Sequence, residues 1–126
     1  MESQVEGNRS RVTTVDSLDQ WEFLVNKAKN LACPIVVHFG ASWCIPSVVM
    51  NPLFQELAFT YSDVMFLTVD VDDVKKVASK MEVTAMPTFL LMKDGIPVDK
   101  LVGANPDEIR RRVESFIQSN NGAYMA

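Results

Sequence analysis

Apolar and polar positions along this chain fall into two periods, and the switches between them mark the elements. Val12-Thr13-Thr14-Val15 is a short β-prone run. Asp16-Ser17 follows as a helix cap, and Leu18, Trp21, Leu24, Val25 and Ala28 then recur at helical spacing until Asn30. Residues 34–40, with Ile35-Val36-Val37-His38-Phe39 at their centre, form a nearly unbroken apolar run, as expected for a central strand covered on both faces. A helical pattern begins near Cys44 and runs to about Tyr61, with Val48, Val49, Leu53, Leu57 and Ala58 as its buried stripe. Pro52 should kink that helix, because its ring meets the carbonyl of Val48. Residues 64–69 predict a second buried strand ending at Asp70, and 73–80 a short amphipathic helix. Residues 88–93 predict a third buried strand, turning at Asp94-Gly95 into a partner over 98–102. Pro106 opens a last helix with Ile109, Val113, Phe116 and Ile117 on one face. The order β-α-β-α-β-α-β-β-α predicts an α/β fold, a mixed sheet with helices on both faces. Residues 1–11 read as a flexible extension, 12–118 as the folded domain and 119–126 as a flexible tail.

A chain of 126 residues makes one domain large enough to bury a core without staples. Its 12 basic and 16 acidic residues give a mildly acidic surface, which argues against nucleic acid or an anionic membrane as main partner. The one cationic cluster, Arg110-Arg111-Arg112, lies inside a helical pattern and reads as a solvated face. Met1-Glu2-Ser3-Gln4 opens no apolar signal segment and has no glycine for myristoylation, so a cytoplasmic, reducing setting is the expectation. No run approaches the length of a membrane-spanning helix. One histidine and two cysteines supply no zinc set, so no metal is expected.

The two cysteines flank a strand. Cys33 precedes it and Cys44 follows it, which separates them by about 20 Å at roughly 3.3 Å per residue. A disulfide needs Cα atoms within about 7 Å, so the pair cannot bridge within one folded chain. Cys33 reads as a small buried or half-buried residue. Cys44 sits in Trp43-Cys44-Ile45-Pro46-Ser47, where strand gives way to helix, and there free N–H groups and the helix dipole favour a thiolate. Pro46 suits the first helical turn, and Trp43 can shield one side of the sulfur. Ser47 occupies the place that a second redox cysteine would take.

Ala41-Ser42-Trp43-Cys44-Ile45-Pro46-Ser47, Val69-Asp70-Val71-Asp72, Thr84-Ala85-Met86-Pro87-Thr88-Phe89 and Gly103-Ala104 together resemble the successive landmarks of a thioredoxin, at thioredoxin spacing. The resemblance spans about residues 12–118 and is nearest to the plant cytosolic h-type group, in its monocysteinic CxxS branch. It implies the thioredoxin fold, with a central mixed β-sheet flanked by helices. It also implies that Pro87 is a cis-proline facing the thiol and that Met86 offers its backbone to an extended substrate segment. Trp43, Ile45, Pro46, Met86, Pro87, Thr88, Gly103 and Ala104 are then the expected substrate-binding residues, a shallow apolar rim suited to proteins.

Three departures from the family pattern shape the expected function. Ser47 removes the resolving thiol, and a hydroxyl cannot displace a substrate from a mixed disulfide. Cys44 is therefore expected to be a lone catalytic nucleophile, with Ser47 in the place of the resolving cysteine. That predicts a thiol–disulfide oxidoreductase or isomerase with little dithiol reductase activity, working by disulfide rearrangement or glutathione-dependent reduction. Ile45 replaces the usual glycine, stiffening the loop and adding apolar surface. His38 stands where the family usually buries an aspartate; it reads first as a satisfied core residue, and as a modulating group that titrates near neutral pH and affects Cys44. Expected partners are thiol- or disulfide-containing proteins, with glutathione or another free thiol as co-substrate, or glutaredoxin. No cofactor is expected. The chain is expected to be a monomer, with a disulfide-linked dimer through Cys44 open under oxidation. The alternative is a non-catalytic thioredoxin-fold binding module for which Cys44 is incidental. An iron–sulfur role like that of the monothiol glutaredoxins is disfavoured, because the motifs around Cys44 and Pro87 resemble thioredoxin and no glutathione-site pattern is seen.

Overall fold

A computed structural model describes residues 10–125, with side chains through 119. The elements in chain order are β1 (Val12–Thr14), α1 (Leu18–Asn30), β2 (Ile35–Gly40), α2 (Ile45–Val49), α3 (Asn51–Thr60), β3 (Met65–Asp70), α4 (Lys75–Lys80), β4 (Thr88–Lys93), β5 (Ile96–Val102) and α5 (Pro106–Met125). The strands form one sheet in the order β1-β3-β2-β4-β5. β1, β3 and β2 are parallel, and β4 and β5 join antiparallel.

Every residue of β2 is buried, because helices cover both faces of the sheet. Side-chain alternation splits its residues between two cores. Val36 joins Phe66, Phe89 and Leu91 in one core, together with Met50, Phe54 and Ile109, Val113 and Ile117 of α5. Val37 and Phe39 join Leu67, Val69 and Leu90 beneath Trp21 and Ala28 of α1 and Val77 of α4. Helix α1 begins as its cap predicts: Ser17 accepts a hydrogen bond from the Gln20 amide at 3.1 Å.

The helix expected over 44–61 is two helices with Met50 between them. Pro52 lacks an N–H and excludes the carbonyl of Val48, so the chain restarts with proline in the first turn of α3, where the Phe54 amide reaches Met50 O at 3.0 Å. The break also corrects the buried stripe. Met50, Phe54, Leu57 and Ala58 are buried and Leu53 is half-buried, whereas Val48 and Val49 are exposed. Helix α4 starts later than expected because Asp70 Oδ1 accepts from the amides of Asp72 and Asp73, at 2.8 and 3.2 Å, and holds those residues in a turn. Strand β5 starts earlier, with Pro97 opposite Met92 beside a bulge on an edge strand that tolerates a missing donor. The backbone of α5 continues helical past 119 to Met125. Of the expected N-terminal extension residues 1–9 lie outside the described residues, as do Ala126 and the side chains beyond 119.

Candidate functional site

Sheet register assembles the site. Gly40 at the end of β2 lies opposite Asp70 at the end of β3, and Phe39 lies opposite Thr88 at the start of β4. The loop after β2 is therefore flanked by the turn after β3 and by the segment preceding β4. Within that loop the Cys44 amide donates to Ala41 O at 3.1 Å, and Cys44 becomes the N-cap of α2 with its carbonyl accepting from Ser47 and Val48 at 3.0 Å each. The sulfur is partly exposed, and its thiol donates to Met86 O at 3.9 Å.

Met86 brings that carbonyl to the sulfur through a cis peptide bond to Pro87. Two hydrogen bonds hold the loop. The Gly103 amide donates to Pro87 O at 2.9 Å, with Gly103 at φ 115°, a conformation that side chains disfavour. Thr88 Oγ1 donates to Ala85 O at 2.6 Å. Thr88, expected among the substrate-binding residues, is buried, and its hydroxyl braces the 85–88 loop from within. Ala104 is exposed and Gly103 half-buried beside that loop, while the Pro87 ring is buried.

On the other side Trp43 Nε1 donates to Asp72 Oδ2 at 2.5 Å, fixing an indole that remains 63% exposed. Ile45 is 68% exposed, and Val48 and Val49 are 41% and 62% exposed, so the apolar rim is wider than Trp43, Ile45 and Pro46 alone. Asp72, Val48 and Val49 are the rim residues that sequence reasoning did not assign. Asp72 lay within a quoted landmark, but its bond to Trp43 spans 29 positions and leaves no local signal.

Beneath the rim, Ser47 and His38 are each 2% exposed. Ser47 Oγ accepts the Ala41 amide at 3.2 Å and lies 3.4 Å from His38 Nε2. A Cβ on Gly40 would stand 2.1 Å from that oxygen, so glycine is what allows Ser47 to turn inward. The imidazole stacks on Phe89 at 4.7 Å and meets the edge of Phe54 at 5.4 Å. Burial there pushes its pKa down to about 4, which corrects the expectation of titration near neutral pH. Nor is the ring a satisfied core residue, since Nδ1 has no hydrogen-bond partner among the described residues. A cavity of about 190 Å³, lined by His38, Ser47, Thr14, Thr68, Asn51 and Asp70 among others, adjoins the pair.

Cys33 is half-buried at the opposite end of β2, with its thiol on Pro34 O and Asp63 O at 3.4 and 3.3 Å. Burial pushes that thiol up. Both cysteines are free, as the strand length requires. Among the described residues no group of His, Cys, Asp and Glu is placed to hold a metal, and no helix is long and apolar enough to cross a membrane.

A partly exposed thiol thus stands at a strand-to-helix junction, facing the carbonyl before a cis-proline. Comparison with known proteins gives the family. The family model described as Thioredoxin matches residues 12–115. The chain is 61% identical over 117 residues to thioredoxin-like protein CXXS1 of Arabidopsis thaliana, covering 93% of this chain and 99% of that one. It is 51% identical over 110 residues to thioredoxin-like protein CXXS1 of Oryza sativa subsp. japonica, covering 87% and 83%. The crystal structure of thioredoxin NaTrxh from Nicotiana alata superposes with a TM-score of 0.81 at 39% identity, covering 86% and 95%. Thiol–disulfide oxidoreductase chemistry on disulfide-containing proteins comes with that likeness, and the chain belongs to the thioredoxin family.

Proposed function

We propose that this protein catalyses monothiol thiol–disulfide exchange on protein substrates, with Cys44 as the single nucleophile. The observation that carries the reading is Ser47: the position one helical turn from the sulfur holds a hydroxyl, and that hydroxyl is turned inward. The Cys44 thiolate attacks a substrate disulfide; one substrate sulfur joins Cys44 and the other leaves as a thiolate that takes a proton. The mixed disulfide is resolved by a second thiol of the substrate, giving a rearranged disulfide with no net redox change. Glutathione resolves it in the reductive route. One molecule frees the substrate and leaves Cys44 glutathionylated, and a second restores Cys44 with release of glutathione disulfide. The exposed rim of Trp43, Ile45 and Pro46 and the Met86 backbone receive the segment carrying the disulfide. A monomer in the reducing cytoplasm suits this chemistry, since glutathione is abundant there and Cys44 stays free.

Reactivation of a scrambled multi-disulfide protein, with and without glutathione, tests the proposal. Native protein is expected to accelerate reactivation, glutathione to add a reductive turnover, and Cys44→Ser to abolish both. Equal rates for native protein and Cys44→Ser, with retained capture of substrate, would establish the binding module instead.

A further inference from the structure

Helix α4 ends in a geometry that glycine ordinarily supplies. The Glu82 amide donates to Ser79 O at 3.0 Å and the Val83 amide to Ala78 O at 2.9 Å, the paired bonds of a Schellman cap. Such a cap needs a left-handed residue at its turn, and here that residue is Glu82 at φ 58°, where a side chain is strained. Strain of this kind persists only where the surroundings hold it. The holding group comes from the edge of the sheet. Lys100 of β5 stands opposite Leu90 of β4, and because its neighbour Leu101 turns into the core that includes α5, the lysine side chain leaves on the face that carries α4. Its ammonium donates to Glu82 O at 2.9 Å and to Met81 O at 3.4 Å, two carbonyls for which the cap itself has no donor, at the negative end of the helix.

Met86 follows a few residues on, and the chain between is tied again before it enters β4. Ala85 O accepts from Thr88 Oγ1 at 2.6 Å, and Pro87 O accepts from the Gly103 amide at 2.9 Å. Gly103 directly follows β5, so one edge strand grips the loop where it begins, through Lys100, and where it ends, through Gly103. Met86 O lies between the two grips, 3.9 Å from the Cys44 sulfur. We propose that Lys100 is a positioning residue for substrate binding: by holding the Met81 and Glu82 carbonyls it keeps the 82–87 segment on the course that presents the Met86 backbone beside Cys44. The inference rests on the reading that this backbone receives the substrate segment. A disulfide in an extended polypeptide is then met by a loop already in place, whereas a small disulfide makes no use of it. Without the ammonium both carbonyls are left to water, and Glu82 relaxes toward negative φ and carries the following residues with it. Cys44 keeps its place, because its own backbone bonds run to Ala41, Ser47 and Val48.

The test measures a single half-reaction on a Cys33→Ser background. An extended peptide carrying one cysteine, and N-acetylcysteine amide, are each supplied as the mixed disulfide with thionitrobenzoate. The Cys44 thiolate bonds to the cysteine sulfur, the sulfur–sulfur bond to thionitrobenzoate breaks, and the coloured thiolate leaves. The native chain is expected to prefer the peptide. Lys100→Met should slow attack on the peptide about fivefold, the scale of one backbone residue left to be ordered on binding, and leave the small disulfide within about twofold. Lys100→Arg, which keeps a charged donor, should recover most of the loss. Amide exchange at Glu82 and Val83 should quicken in Lys100→Met and not in Lys100→Arg. Quicker exchange with an unchanged peptide rate would make Lys100 a helix cap and nothing more, which overturns the positioning role and leaves the proposed function standing. A native chain with no preference for the peptide would overturn the receiving role of Met86 as well.

Discussion

Burial of His38 between two phenylalanines makes the native state acid-sensitive in a defined window. The ring titrates at about 4 in the fold against 6.5 when free, so between those values the unfolded chain binds a proton that the native chain refuses. Stability from this site is full above about pH 6.5, falls as the pH is lowered, and levels off below about 4. Two and a half units correspond to about 3 kcal/mol. Urea melts at pH 7 and pH 4.5 should show His38→Phe losing less stability than the native chain by an amount of that order, and parallel losses would contradict the buried, neutral ring. The cysteines differ for a related reason. Cys33 is desolvated and bonded to two carbonyls, whereas Cys44 stands partly exposed at a helix start. Iodoacetamide at pH 7.5 should modify Cys44 first, by about tenfold, as peptide mapping by mass would read.

The junction of β2 and α2 is where element geometry becomes chemistry. Gly40, Ala41 and Ser47 interlock there, and Gly40→Ala drives a methyl group to 2.1 Å from Ser47 Oγ. Overpacking of that kind costs about 1–3 kcal/mol, so the variant should melt lower and show an altered Cys44 alkylation profile as Ser47 is displaced. An unchanged melt would mean that the turn yields freely. The same junction governs Ser47→Cys. The position already lies one helical turn from Cys44, so an internal disulfide and a partial gain of dithiothreitol-driven insulin reduction are expected. The gain is limited by the stiff Ile45 and by a neutral His38, which is a poor base for a second thiol. Absence of that disulfide by mass, or equal insulin reduction by the native chain, would remove Ser47 as the limiting group.

Across the whole molecule, the sheet positions three separate segments around one sulfur. β3 and β4 flank β2, so the Asp72 turn reaches Trp43 and the Met86-Pro87 loop reaches Cys44 only while the strands keep register. Stability of the sheet and integrity of the site are therefore coupled. Leu67 is fully buried in β3, and Leu67→Ala should cost about 2–5 kcal/mol, a large part of the roughly 5–15 kcal/mol that holds a domain. The urea midpoint and the Cys44 alkylation rate should report the loss together near the transition; loss of stability with the site intact past that midpoint would show the two to be independent.

Local periodicity and covalent geometry determined much of this protein before folding is considered. Strand β2, the proline-directed break before α3, the Ser17 cap and the place of Cys44 at a helix start all follow from neighbours in the chain. So does the impossibility of a Cys33–Cys44 bridge, because an extended strand has a set length. Tertiary structure alone decided which side chains meet and how wet they are. Met86 O reaches Cys44 across 42 positions, and Asp72 reaches Trp43 across 29. Val48 and Val49 continue a helical apolar stripe in sequence but face solvent, because the break at Met50 divides that stripe between two helices. His38 carried a titratable signal in sequence, and its aromatic enclosure removed it. Burial and cross-strand register are set by contacts distant in the chain, and no window along the chain contains them.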